Sequence, residues 1–447
     1  MARADGPGLS GDTAGHGPPD ADRARRAVEA VWRIESARIV GTLARYTGDF
    51  ALAEDVAQEA VAEALVGWAR DGTPANPVGW LLATARRRAI DAFRRRSALD
   101  ERYVLLAGAL AEGEADAGAA APRDRADDLP WDPDRVDDDV LALMFIACHP
   151  VLSPEARVAM TLRAVGGLSS EEIARAFLVT VPTVQARITR AKKTIAAAGV
   201  AFELPLADER RARLSGVLSV LYVIFTEGST ATSGDRLVRA DVAYEAVRLT
   251  RMLAALLPDE PEVHGLLALL ELTAARFPAR TGPDGEAVLL EDQDRRLWDR
   301  SAIRRGLGAL SRAASVGRGL GSYGLQAAIA ACHAAAPSVP ETDWERIVLL
   351  YEALGRLAPS PVVELNRAVA VAMAQGPEQA LTTVDDLVAS GRLSGSHLLP
   401  TVRGELLARL GRTAEARAEL ELAARLCGNT RERAVLLRKA AALPGQR

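Results

Sequence analysis

Aromatic residues make up only 4% of the 447-residue chain, and just three cysteines, Cys148, Cys332 and Cys427, are spread along it. The scarcity of rings points to cores of Ala, Leu and Val between helices. So few and so distant cysteines exclude a disulfide framework and fit a reducing, cytoplasmic setting. Cys148 and His149 are adjacent, but no CxxC and no second His at ligand spacing accompanies them. They read as packing residues, so neither a metal nor another cofactor is expected. No stretch approaches the roughly 20 uninterrupted apolar residues of a membrane span. The N-terminal segment to about Ala21, rich in Gly, Pro and Asp, has no apolar core and reads as a disordered tail rather than a signal peptide. The five histidines, His16, His149, His264, His333 and His397, are scattered, and HExxH, GxSxG and GxxxxGK patterns are missing. That argues against an enzyme. The net charge of −4 leaves no global excess of either sign, so a nucleic-acid surface has to be a local basic patch.

What is present is helical periodicity, over a length that calls for two or three domains. The chain divides into a tail (1–23), a helical segment (24–100), a linker (101–139), a three-helix unit (140–202) and a long helical extension (203–447). The linker is assigned on its content of Asp, Glu, Ala, Gly and Pro, which cannot bury enough apolar surface to order itself. In the three-helix unit, "SPEARVAMTLRAVGG" opens with Ser153 as N-cap and Pro154 as first residue, and stops at Gly166–Gly167. Next, Ser169 and Glu172 form a capping box at the head of a short helix with Ile173, Ala174 and Phe177 on its apolar stripe. After a break, Thr180 caps a second helix whose Val181, Val184, Ile188, Ala191 and Ile195 mark one face. Thr183, Ala186, Thr189, Arg190 and Lys193 occupy the other, flanked by Gln185 and Arg187. Hydroxyls and cations on one face of a helix after a short turn describe a helix-turn-helix reading a major groove. The alternative is a solvated surface helix whose cations only keep the chain soluble.

A second basic element is "GWLLATARRRAIDAFRRR" (Gly79–Arg96). Leu81, Leu82, Ala85, Ala89, Ala92 and Phe93 gather on one side of its helical wheel. Trp80, Thr84, Arg87, Asp91 and Arg94 line the other, with Arg88 and Arg95 beside them. An indole among guanidinium groups suits single-stranded DNA, where bases stack on the ring and cations hold phosphates. A solvated basic face with Trp80 half-buried is the plainer reading.

"GDFALAEDVAQEAVAEALVGW", the Trp80 helix, an acidic linker and the helix-turn-helix, in that order, resemble the extracytoplasmic-function (ECF) sigma factors of bacterial RNA polymerase over about Ala27 to Val200. The resemblance implies an all-α fold in which region 2 precedes region 4. It implies core RNA polymerase and promoter DNA as partners, through the β′ clamp helices and the β flap. Asp55, Gln58 and Glu59 would face the clamp helices; by periodicity alone they are the polar side of a helix that buries Val56, Ala57, Ala60 and Leu65. Trp80 to Arg95 would contact and open the −10 element, and the loop "RDGTPANPVG", with Thr73 and Asn76, would hold a flipped-out base. Thr183, Arg187 and Arg190 match the family's recognition helix for the −35 element, with Gln185 and Lys193 on the same helix. Arg87 stands where the family commonly has Asn, and Gln185 where Lys is frequent, so the promoter sequence does not transfer.

In the extension, "NRAVAVAMAQGPEQAL" and "ELLARLGRTAEARAEL" share a helix, a Gly-containing turn and a second Ala-rich helix. Gly376 and Gly411 are spaced near the ~34-residue tetratricopeptide period. "FTEGSTATSGD", "LLEDQDRRLWDR", "AAIAACHA" and "SPVVELNRAVAVA" resemble the ECF subgroup with a tetratricopeptide-like extension, which implies a small DGPF-type (YCII-related) partner. Acidic and aromatic residues in "DQDRRLWD" suit either a docking loop or a helix-capping surface loop. The extension is expected to govern activity, holding the DNA-binding regions in a competent arrangement. Truncation at Leu206 is expected to lower promoter activity and to leave a soluble two-region fragment. The rival reading of the whole chain is a one-component activator with a helical-repeat sensor, which leaves "AEDVAQEA" and the Trp80 helix without a purpose.

Overall fold

The structure, a computed structural model, describes residues 19–110, 136–229, 238–282, 286–316 and 319–444. Among them the architecture is all-α: nineteen α-helices and a single isolated bridge between Thr281 and Ala287. The chain falls into two compact units, residues 1–143 with 192–203, and residues 144–191 with 204–447.

The first unit holds α1 (Pro19–Thr47), α2 (Phe50–Asp71) and α3 (Pro77–Leu110). Asp49 caps α2, its carboxylate accepting from the Ala51 and Leu52 amides at 2.9 and 3.1 Å. The apolar stripe of α2 is buried at Val56, Ala57, Ala60, Ala64 and Trp68, but Leu65, expected in that stripe, is 41% exposed. Ala64 lies in the stripe instead, one residue earlier. The linker is shorter at both ends than the segment 101–139 assigned to it. α3 continues to Leu110, and Val136 already opens α4 (Val136–Ala147). Asp137 and Asp138 stand in the first turn of α4, where carboxylates suit the helix dipole. Asp139, expected in the linker, is buried and paired with Arg45 at 3.4 Å. Gly41 is what lets α1 approach: a Cβ there would lie 3.0 Å from the Asp139 carbonyl oxygen. Likewise α1 begins at Pro19, within the stretch expected to be a tail; most of that tail and of the linker lies outside the described residues.

In the second unit, α5 (Pro154–Met160) runs into one π turn at Thr161–Val165, and α6 (Ser170–Phe177) leads to α7 (Val181–Ala197). The caps follow the sequence. The Ser153 hydroxyl accepts from the Ala156 amide, and Ser169 and Glu172 form the reciprocal capping box. Thr180 Oγ1 accepts from the Thr183 amide at 3.3 Å.

The extension begins with α8 (Ala207–Ser229). Val217, Leu218, Val220, Leu221, Ile224 and Phe225 are all buried, so this helix is covered on more than one side. α5 lies against it, and so does α9 (Ala240–Leu256), which approaches through Gly228. α10 (Pro261–Ala274), the short α11 (Phe277–Arg280), α12 (Arg300–Ser315) and α13 (Ser322–Ala335) follow, and α10 packs on both α12 and α13. The rest are α14 (Trp344–Leu357), α15 (Pro361–Ala374), α16 (Pro377–Ala389), α17 (Leu398–Arg409), α18 (Thr413–Leu426) and α19 (Thr430–Ala442), each packed on the next. Gly376 and Gly411, with φ of 109° and 75°, form the turns between α15 and α16 and between α17 and α18, where side chains would be strained.

The "DQDRRLWD" segment is tied to its own unit. Trp298 is buried beneath Arg295 and Arg276, whose guanidinium carbons lie 4.8 and 5.4 Å from its ring centroid. Asp299 caps α12 through the Ser301 and Ala302 amides. The helix-capping reading describes it.

Beside this loop His333 meets the Trp344 ring edge at 5.2 Å. Burial, reinforced by the Arg276 and Arg295 cations, pushes its pKa down to about 4. The folded chain therefore refuses a proton that the unfolded chain accepts at its ordinary value of 6.5. Stability is full above that value and is lost as pH falls towards about 4. At ~1.4 kcal/mol per unit the loss is on the order of 3 kcal/mol. Denaturant melts at pH 7.5 and 4.5 should show it, and His333→Phe should reduce the difference; an unchanged difference would remove His333 as its source.

Candidate nucleic-acid interface

Both basic helices present cations, each for a local reason. At the head of α3, Asn76 Oδ1 accepts from the Gly79 amide at 2.9 Å and its carbonyl from the Trp80 amide at 3.1 Å. The Asn76 side chain is thus an N-cap, at the rim of a hollow lined by Asn76, Val78, Gly79, Leu82, Ala83 and Arg86. Trp80 is half-buried, edge-on to the buried Trp68 at 5.7 Å and 71°. Arg87, Arg88, Asp91, Arg94 and Arg95 are exposed. Thr84 departs from the expected pattern: it is 1% exposed, under the α3 surface, with its Oγ1 accepting from Arg87 Nη2 at 3.1 Å. α3 packs on both α1 and α2, and their cover extends to Thr84, one turn after Trp80.

On α2, Asp55 and Glu59 are exposed and Gln58 is half-buried. Two features here escaped periodicity. Arg88 pairs with Glu63 at 2.9 Å and reaches Glu59 at 3.9 Å, joining the two polar faces of α2 and α3. Lys192, whose segment belongs to the first unit, bonds to Glu54 and to Asp55, the latter at 2.6 Å. Glu54 is an acid set in the buried stripe of α2, and that misplaced charge is the one signal for a partner in the sequence. Burial by itself lowers the Lys192 pKa, but the two carboxylates together outweigh it and raise the value.

On α7, Val184, Ile188, Ala191 and Ile195 are buried as expected. Gln185, Arg190 and Lys193 are exposed, and Arg190 Nε donates to the Ala186 carbonyl at 3.3 Å. Thr183 and Arg187 are half-buried. Thr183 shares a hydrogen bond with Thr180 at 2.8 Å, while Arg187 lines a groove with Val184, Val220 and Glu227. The turn before α7 is made by Leu178 in the left-handed conformation, φ 51°, rather than by glycine.

The extension completes this helix-turn-helix. Arg239, buried at the head of α9, donates to the Ala176 carbonyl in the last turn of α6, and its ion pair with Glu227 measures 3.0 Å. Arg248 Nη2 reaches the Gly166 carbonyl at 3.3 Å. Helix-end carbonyls lack intrahelical partners and need such donors.

Two exposed basic helices, one with an indole at its head and one in a helix-turn-helix, can hold phosphates while presenting polar groups to bases. Among the described residues no helix is long and apolar enough to cross a membrane. Comparison with known proteins matches residues 33–98 to sigma-70 region 2, residues 142–195 to sigma-70 region 4, and residues 213–314 to a family of unknown function, DUF6596. An uncharacterised protein of Rhizobium meliloti is 45% identical over 397 residues, covering 89% of this chain and 91% of that protein. A probable ECF RNA polymerase sigma factor, SigI of Mycobacterium tuberculosis, is 29% identical over 183 residues, 41% of this chain and 59% of its own length. No solved structure matches. With both DNA-binding regions in order and an extension behind them, the chain belongs to the sigma-70 family, as an ECF-type RNA polymerase sigma factor whose partners are core RNA polymerase and promoter DNA.

Proposed function

We propose a division of labour among the residues of this sigma factor. Asp55, Gln58 and Glu59 bind the β′ clamp helices of the polymerase. Trp80, Arg87, Arg88, Asp91, Arg94 and Arg95 act on the −10 element, and the hollow beside Asn76 takes a flipped-out base. Thr84 acts through Arg87, which it positions. Gln185, Arg190 and Lys193 face the −35 element, with Thr183 and Arg187 at the edge of that contact, and region 4 also meets the β flap. The extension, a tetratricopeptide-like array, keeps region 4 competent, and its outer surface receives a small DGPF-type protein. The observation that carries this reading is the seating of α6 and α5 on the extension through Arg239, Arg248 and α8.

Run-off transcription with purified core enzyme and a genomic promoter pool tests the whole. Transcripts that depend on this protein are expected; their absence, with core binding demonstrated, would overturn it. A one-component activator would instead need another sigma factor in the reaction.

The Lys192 bridge adds a prediction. Core binding has to compete for Asp55, the exposed end of a bridge whose Lys192 end is largely buried. The Glu54 partner stays in place in the complex, so only the Asp55 bond, worth about 0.2–1 kcal/mol at an exposed carboxylate, is given up. Lys192→Ala should therefore tighten core binding by up to about five-fold, an effect that shrinks as salt screens the pair. Anisotropy titrations at low and high salt check this. Weaker binding at both would mean that Lys192 supports the clamp surface instead of occupying it.

A further inference from the structure

We infer that the last helices of the extension hold a transition-metal site made by His397, Cys427 and Glu432, of a kind suited to zinc. The three residues come from three different elements. His397 precedes α17, Cys427 ends α18, and Glu432 stands in the first turn of α19. Their donor atoms nonetheless lie within 4.8 Å of one another. His397 Nε2 is 3.3 Å from one Glu432 oxygen, and Cys427 Sγ is 3.8 Å from the other. Metal–ligand lengths of about 2.0–2.3 Å in a tetrahedron place donors roughly 3.3–3.7 Å apart. The cluster is therefore near the required spacing before any rearrangement.

The chemistry of the donors is consistent. The set combines a soft thiolate, a borderline imidazole and a hard carboxylate, and the thiolate and imidazole within it suit zinc rather than calcium or magnesium. Cys427 is buried, whereas His397 and Glu432 are partly exposed, which leaves room for a solvent ligand at a fourth position. Arg280 lies within electrostatic reach of Glu432. A divalent ion beside that cation needs neutralising by its own ligands, and one thiolate plus one carboxylate does so. The frame is fixed: the Asn429 side chain caps α19 through the Arg431 and Glu432 amides, and Thr401 Oγ1 donates to the His397 carbonyl at 2.7 Å. The ion would thus tie the start of α17 to the junction of α18 and α19. Sequence reading passed over the site because its ligands are 30 and five residues apart and fit no familiar spacing.

Cobalt(II) added to the reduced full-length chain is the test, with zinc as competitor. We expect one equivalent bound with a near-ultraviolet thiolate-to-cobalt band and tetrahedral visible absorption, both erased by stoichiometric zinc. The band should vanish in Cys427→Ser and persist in Cys332→Ser. Loss of a group merely supporting a ligand costs about 10–100-fold in affinity, so His397→Gln, a partly exposed position, should weaken zinc by at least about 100-fold. Circular dichroism confirms that each variant is folded, and His397→Gln decides the matter if Cys427→Ser is not. Absence of the band in the parent chain, its survival in Cys427→Ser, or unchanged zinc affinity in His397→Gln would overturn the site.

Discussion

Removal of the chain beyond Leu206 should abolish promoter-specific transcription and, in the same step, loosen region 4. Both effects follow from the position of α8 inside the second unit. Val158, Ile173 and Val184, core residues of the helix-turn-helix, line a groove completed by Val220 and Val223 of α8. Val158 stands on α5, which packs against α8, and uncovering such a core side chain costs about 1.5–3 kcal/mol, a large share of a domain's roughly 5–15 kcal/mol. The Ala176 and Gly166 carbonyls would also exchange the Arg239 and Arg248 donors for water, a net loss of about 0.5–1.5 kcal/mol per bond. The expectation of an intact two-region fragment therefore changes: region 2 should keep its fold, while region 4 should exchange its amides freely. Hydrogen exchange on the truncated chain and a matched reporter strain measure the two effects. A fragment as active as the full chain, with a protected region 4, would make the extension dispensable or inhibitory.

Trp80→Ala has the second largest expected effect, and it falls on strand opening. Stacking of one base on an aromatic platform is worth about 1–3 kcal/mol, or roughly 5- to 150-fold in the open complex. The edge contact with Trp68 adds about 0.5–1.5 kcal/mol to folding, so a modest drop in thermal stability should accompany the defect. Permanganate footprints on duplex templates should weaken strongly, and a pre-melted bubble should restore them. Arg190→Ala should behave differently. It weakens binding before opening, by about 1–3 kcal/mol for a base contact, or lowers the salt slope by about one for a phosphate. A pre-melted template should not rescue it. If the bubble leaves Trp80→Ala defective, the indole has no role as a platform.

The sequence alone determined the helices, their caps and the two basic faces. Ser153, Ser169 with Glu172, and Thr180 act within one turn of chain, so their bonds are set by neighbours three residues away. Gly376 and Gly411 show as breaks because only glycine adopts their backbone angles without strain. Periodicity found the buried faces of α3 and α7 for a similar reason: one stripe meets the core, whatever the core is. Only the tertiary structure decided what lay across the sequence. Thr84 sits at a polar position of the wheel yet is buried, and Leu65 the reverse, because the width of a buried stripe depends on which helices flank it. Lys192 meets Glu54 and Asp55 from more than 130 residues away. α8 is an internal helix, covered by α5 and α9 at once. His397, Cys427 and Glu432 converge for the same reason. Charges and ligands pair by distance in space, and distance in space is fixed only when the helices pack.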